Sequence, residues 1–195
     1  MDCRNYKELR QDLLSKGYQF KTETDTEVLL NAFHLWGVDC LTKLTGMFSF
    51  CVYDRIKEKI TLVRDAFGIK PLFFTQTKDR VIFASEINPM LELLDTKPQP
   101  DLQTAYDYLV HGDCSSTGRT FFEGIKCLMP ASYIELDLTN LKLSQPITWW
   151  RPNTEENKTI SFKEAVVKVR EIFLDSVKLH LRSDVPVGAA LSGGL

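Results

Sequence analysis

The sequence has no apolar run near the roughly 18 residues that a membrane-spanning helix needs, so a bilayer span is not expected. It starts MDCRNYKELRQDLLSKGY, polar and charged. A secretory leader would place an apolar stretch there, so a cytoplasmic location is expected. There is no CxxC pair: Cys3, Cys40, Cys51, Cys114 and Cys127 are widely spaced and odd in number. That pattern argues against a zinc or redox motif and for reduced thiols. Neither sign of charge dominates, with 24 basic residues against 26 acidic and a net charge of -2. A nucleic-acid or anionic-membrane partner has no basic field to bind. Low-complexity segments and repeats are also absent. What remains is the composition of a globular protein, long enough at 195 residues for one core and part of another.

What is present organises around Gly46 to Phe74, GMFSFCVYDRIKEKITLVRDAFGIKPLFF. Phe48, Phe50 and Val52 alternate with Ser49, Cys51 and Tyr53, the period of a strand. Asp54 to Lys59 is a polar connection. Ile60, Leu62 and Val63 form a second strand ending at Arg64-Asp65, read as an ion-paired turn, and Leu72-Phe73-Phe74 is extended again. Before this ribbon, the spacing predicts a helix over Asn5 to Ser15, stopped at Gly17, and another from Thr24 to about Trp36, stopped at Gly37. Thr24 and Glu27 have capping-box spacing.

After the ribbon, Val81 to Ala84 reads as a strand and Glu86 to Leu94 as a helix capped by Ser85. A helix from Asp101 is expected to turn Leu102, Ala105, Tyr106 and Leu109 inward. Thr120 to Ile125 and Ala131 to Leu136 read as strands, with Leu141 to Leu143 pairing back. Asn153 to Thr159 is a polar linker. Ser161 and Glu164 repeat the capping-box spacing and open a helix to about Arg182, striped with Val166, Val169, Ile172, Phe173, Val177 and Leu181. Val187 to Leu191 reads as a short buried strand running into Ser192-Gly193-Gly194-Leu195. A helix, a buried strand and a glycine loop open an α/β unit.

Two features could carry chemistry. Backbone N–H groups of a Ser-Gly-Gly loop after a strand can converge on an anion, although the same three residues suit an ordinary turn. Asp25 would sit at a helix N-terminus, where the dipole favours an anion; a plain helix-start residue fits equally. His34, His111 and His180 have no metal-like neighbours. Trp149-Trp150 is read as core or interface rather than a base-stacking platform.

GMFSF, followed ten residues after Phe50 by a strand running into RDAFGIKPLFF, resembles the glutaminase domain of class II glutamine amidotransferases. Among these the chain is most similar to the glutamine-hydrolysing asparagine synthetases. The resemblance spans essentially the whole chain. It implies an α+β fold: a four-layer αββα amidotransferase domain over 1–152, lacking its first strands, then the first helix and strand of an α/β ATP-pyrophosphatase synthetase domain over 153–195.

Further roles rest on that resemblance alone. Thr24-Asp25-Thr26-Glu27-Val28 resembles the family's SDTEV segment, whose Asp takes the α-amino group of glutamine, with Thr24 in place of Ser. Met1 to Arg10 lines up with NGEIYNYKELR, so Asp2 falls on a glutamine-holding Glu and Met1 on the Gly. The preceding Asn, an oxyanion-hole donor, has no counterpart, and neither does the family's glutamine-binding Arg. The family nucleophile is an N-terminal Cys; Cys3 lies too late in family order to be it, so no catalytic residue is assigned. Leu191, Ser192, Gly193 and Gly194 match the loop SGGxDS that grips the pyrophosphate of ATP.

The implied substrates are glutamine, aspartate and ATP, with Mg2+ assisting, and a homodimer stays open. The chain by itself is expected to hydrolyse no glutamine, make no asparagine, and aggregate or melt at low temperature, because strand edges lack partners. A related amidotransferase with another acceptor, or a non-catalytic protein of the same fold, is the alternative.

Overall fold

The computed structural model describes residues 2–113, 116–183, 185–188 and 193. It divides into two compact units, Met1–Arg151 and Pro152–Leu195.

The first unit opens with a two-residue strand β1 (Asp2–Cys3) and helix α1 (Tyr6–Ser15), which ends as Gly17 donates to Leu14 O. Helix α2 (Asp25–Trp36) is capped by Thr24, whose hydroxyl accepts from Glu27 N at 3.3 Å. Only this half of the expected capping box forms. The Glu27 carboxylate reaches further back, to the N–H groups of Lys21 and Thr22 and the Thr22 hydroxyl. It thereby ties down the loop ahead of the helix, and Thr24 N turns to the Thr22 hydroxyl instead. Gly37 stops α2 at φ 57°, and a 3-10 helix (Gly37–Lys43) follows.

Strands β2 (Gly46–Met47), β3 (Ser49–Asp54) and β4 (Lys59–Arg64) follow. They are succeeded by β5 (Phe73–Gln76), β6 (Val81–Ala84) and helix α3 (Ile87–Glu92). Helix α4 (Leu102–His111) comes next, then β7 (Lys126–Cys127), β8 (Ser132–Asp137), β9 (Lys142–Leu143) and β10 (Ile147–Thr148). β1 pairs with β2; a larger antiparallel sheet runs β10-β8-β4-β3 with β9 on β8; a third runs β6-β5-β7.

The period-2 alternation of these strands explains the layering. On β4, Val63 joins a cluster with Leu9, Leu13, Val28, Leu29 and Ala32 of α1 and α2. Its neighbour Leu62 faces the other way, into a cluster with Ile134 of β8 and Phe74 and Phe83 of the third sheet. On that third sheet, Phe73 and Ile82 face away again, into a cluster with Ile87, Met90 and Leu91 of α3. The order is therefore helices, sheet, sheet, helix, the αββα arrangement expected. Each fully buried aliphatic side chain in these layers contributes about 1.5–3 kcal/mol.

Three local expectations fail. Ser85 is not a cap: the α3 cap position is Glu86, with no side-chain bond. Thr120 to Ile125 is not a strand. The Thr120 hydroxyl donates toward Phe122 O and Ile125 O and accepts from Phe122 N. Those bonds take backbone groups that a ladder would need. On α4 the burial is reversed: Thr104 is buried, while Leu102 is 77% and Leu109 82% exposed. At 100° per residue, Leu102, Tyr106 and Leu109 lie roughly 140–200° from Thr104, so seating Thr104 turns all three outward.

In the second unit, helix α5 (Phe162–His180) carries the full capping box expected: Ser161 Oγ accepts from Glu164 N, and Glu164 accepts from Ser161 N. None of its residues is buried, and its apolar stripe is exposed. Val187 and Gly188 form no strand; Ala189, Ala190 and Leu191, the rest of the expected strand, lie outside the described residues.

Candidate functional site

Asp25 is the first residue of α2, and the twelve-residue helix behind it directs the positive end of its dipole at the carboxylate. One carboxylate oxygen, Oδ2, accepts the backbone N–H of Cys3 at 3.1 Å; Oδ1 accepts the Thr26 hydroxyl only at 3.4 Å. β1 thus crosses the start of α2, which places Asp2, 23 positions away in sequence, on the strand next to Asp25. Asp2 is ion-paired with Arg4 at 2.6 Å. The two candidate glutamine-holding residues are therefore brought together, both half-exposed.

β1 reaches this position because Gly46 lets it. Asp2 pairs with Met47 and Cys3 with Gly46. A Cβ on Gly46 would lie 2.1 Å from the Asp2 carbonyl oxygen. Asn5 adds a side-chain tie: its Nδ2 donates to Lys43 O at 2.8 Å and its Oδ1 accepts from Thr45 N at 2.8 Å. Neither residue was singled out from the sequence. The only sequence signal for Gly46 is its place at the head of GMFSF.

Cys3 is buried at 3% exposure, and its thiol is pushed up to about 12, first by burial and then by the neighbouring Asp25 charge. A thiol so held stays protonated and is a poor nucleophile at neutral pH. Burial likewise pushes Cys40 up to about 12.

Arg64 and Asp65 do not pair with each other as expected. Arg64 donates to the carbonyls of Lys70, Leu128 and Gly68. Asp65, fully buried, accepts from the backbone N–H groups of Phe48, Phe67, Ile69 and Lys70. Each side chain satisfies a turn of main chain, a better bargain inside the protein than one mutual pair. Between them they hold the 65–71 turn, where Gly68 adopts φ 64° with Pro130 Cγ 2.8 Å from where a Cβ would stand. Trp149 stacks on Phe48 and donates to Arg64 O, and Trp150 lies against Phe67; both belong to this packing.

Of the expected anion loop, Leu191, Ser192 and Gly194 lie outside the described residues; Gly193 has φ 71°. Among the described residues no three His, Cys, Asp or Glu side chains converge as metal ligands, and no helix is long and apolar enough to cross a membrane. His34 accepts or donates a hydrogen bond with the Tyr18 hydroxyl at 2.9 Å, a surface contact.

Residues 168–195 match the asparagine synthase family. An asparagine synthetase [glutamine-hydrolyzing] 3 of Bacillus subtilis is 36% identical over 191 residues, 98% of this chain and 30% of that protein. An amidase chyE of Penicillium rubens is 29% identical over 190 residues, 96% of this chain and 27% of that protein. A solved glutamine phosphoribosylpyrophosphate amidotransferase from B. subtilis is 19% identical with a TM-score of 0.48, covering 74% of this chain and 27% of that one. The chain thus spans about a third or less of the length of these relatives. Residues 2–150 match the glutamine amidotransferase domain family, and the chain belongs to that family.

Proposed function

We propose that this chain is part of a glutamine-hydrolysing asparagine synthetase, in which 1–152 is the amidotransferase domain and 153–195 the entry to the synthetase domain. Asp25 takes the α-ammonium of glutamine, and Asp2 helps to hold the same substrate. The observation that carries the reading is the Asp25 carboxylate. It opens a helix beside β1, has one oxygen spent on Cys3 N and the other only weakly engaged, and so can meet a substrate cation. The B. subtilis relative, named for glutamine-hydrolysing asparagine synthesis and aligned with nearly the whole chain, supports it.

In the whole protein, glutamine hydrolysis supplies ammonia. The aspartate side-chain carboxylate attacks the α-phosphate of ATP, releasing pyrophosphate and leaving an acyl adenylate, and ammonia then displaces AMP to give asparagine; Mg2+ would offset the phosphate charge. Leu191, Ser192, Gly193 and Gly194 would hold the phosphates through backbone N–H groups. The protein acts in the cytoplasm on small molecules; whether it forms a homodimer is a matter for sedimentation.

The test is an assay of the protein encoded by the locus read outward from both ends. Asparagine formed from aspartate, glutamine and ATP, with AMP in equal amount, is expected. The second reading, amide transfer to another acceptor, gains from the similarity to a protein named amidase. Glutamine-dependent consumption of ATP without asparagine would favour it.

A further inference from the structure

We propose that Asn5 is a positioning residue for Asp25, an inference that rests on the glutamine reading of that carboxylate. Asn5 does not touch Asp25. It acts on β1, which supplies the N–H that fixes Asp25 Oδ2.

Two residues cannot form a stable ladder alone, so β1 needs other fastenings. Arg4 N donates to Thr45 O at 2.8 Å, and the Asn5 carboxamide adds two more bonds to the same segment, to Lys43 O and from Thr45 N. The carboxamide orientation is fixed by its partners: a carbonyl needs the Nδ2 donor and an N–H needs the Oδ1 acceptor, so a flipped amide would lose both. Oδ1 also receives the Cys3 thiol at 3.4 Å. Asn5 therefore grips β1 from its own side chain and grips the 43–45 segment at two points.

The consequence reaches Asp25 in one step. With β1 held, Cys3 N points at Oδ2 and the carboxylate is locked in one rotamer, its Oδ1 turned to receive an ammonium. With β1 loosened, the carboxylate rotates freely and ordering it falls to the substrate. Asn5 is the N-cap residue of α1 yet makes no side-chain cap bond. Its side chain serves the strand rather than the helix.

The test is amide hydrogen exchange by NMR in the 15N-labelled 195-residue chain. In the wild type, the Cys3 amide, held by Asp25 Oδ2, should be protected, and Asp25→Ala should abolish that protection. Asn5→Ala should speed Cys3 exchange at least fivefold, while the amides of Val28 to Ala32 exchange as before. Asn5→Asp keeps an oxygen for Thr45 N but loses the donor to Lys43 O, and should give an intermediate rate; if Asn5→Ala does not fold, this variant decides. Unchanged Cys3 exchange in the Asn5 variants, or an unprotected Cys3 amide in the wild type, overturns the inference. Addition of L-glutamine is a separate arm. A ligand-induced shift at Cys3 in the wild type, lost in Asp25→Ala and weakened at least threefold in the Asn5 variants, supports both readings. If glutamine moves no resonance while the Asn5 variants still speed Cys3 exchange, the positional role stands and the glutamine reading fails.

Discussion

Removing the Asp65 side chain should cost more than almost any other single truncation in the first unit. Asp65 is fully buried and accepts four backbone N–H groups, from Phe48, Phe67, Ile69 and Lys70, at 2.9 to 3.3 Å. In Asp65→Ala all four lose their acceptor at once. A donor left unsatisfied costs about 1–3 kcal/mol when buried, and less where water reaches it. Only the Phe48 bond is fully buried; the other three are partly so. Taking the low end, about 1 kcal/mol, for each of the four gives a loss of about 4 kcal/mol. That is a large share of the roughly 5–15 kcal/mol that holds a domain together. It should lower the melting temperature by about 8–16 °C. Asp65→Asn keeps one acceptor oxygen and turns an amide donor toward the other N–H groups, so about half of the loss is expected. Urea unfolding followed by tryptophan fluorescence suits the purpose, because Trp149 stacks on Phe48 and bonds to Arg64 O beside the turn. A loss below about 1 kcal/mol for Asp65→Ala would refute the idea that this carboxylate organises the 65–71 turn.

Other outcomes follow from the same geometry. Gly46→Ala places a methyl 2.1 Å from the Asp2 carbonyl, so β1 should detach from β2; hydrogen exchange at Cys3 should accelerate at least tenfold. Cys3 and Cys40, both buried with thiols pushed up to about 12, should resist alkylation at pH 8 in the native protein and react once it is unfolded, as peptide mass mapping would register. Glu27 is held below its ordinary value of 4.5, chiefly by the Thr22 hydroxyl and then by Lys21 N. A carboxylate depressed by folding contributes stability above its unfolded value and loses it as pH falls through the folded one. The melting temperature should therefore drop as pH is lowered below about 4.5, and Glu27→Gln should flatten that decline.

Strand identity was readable because period-2 alternation and burial are two views of one constraint: Val63 and Leu62 must face opposite layers, and the sequence shows both as apolar. Helix ends were readable where a side chain closes its own turn, as at Thr24, Asp101 and Ser161. What the sequence hid were choices made by distant partners. The α4 face depended on seating Thr104, a residue with no apolar signature. Thr120 to Ile125 looked like a strand until the Thr120 hydroxyl took its backbone groups. Arg64 and Asp65, adjacent and oppositely charged, invited a pair, yet main-chain partners as far off as Leu128 claimed Arg64. At the candidate site, Asp25 and Asp2 were found through resemblance to family segments. Their juxtaposition needed Gly46 and Asn5, whose contacts lie about 40 positions away in sequence and leave no local pattern.

Under the proposed role, Asp25 serves the glutamine half of the amide transfer alone. The direct measurement is asparagine synthesis by the whole protein and its Asp25→Asn variant, with glutamine and then with ammonium chloride as nitrogen source. Loss of a charge-assisted contact of up to about 3 kcal/mol should cut kcat/KM for glutamine by about 100-fold. The ammonia-dependent rate should stay at the wild-type level. An equal fall with both nitrogen sources, or an unchanged kcat/KM for glutamine, would contradict the account.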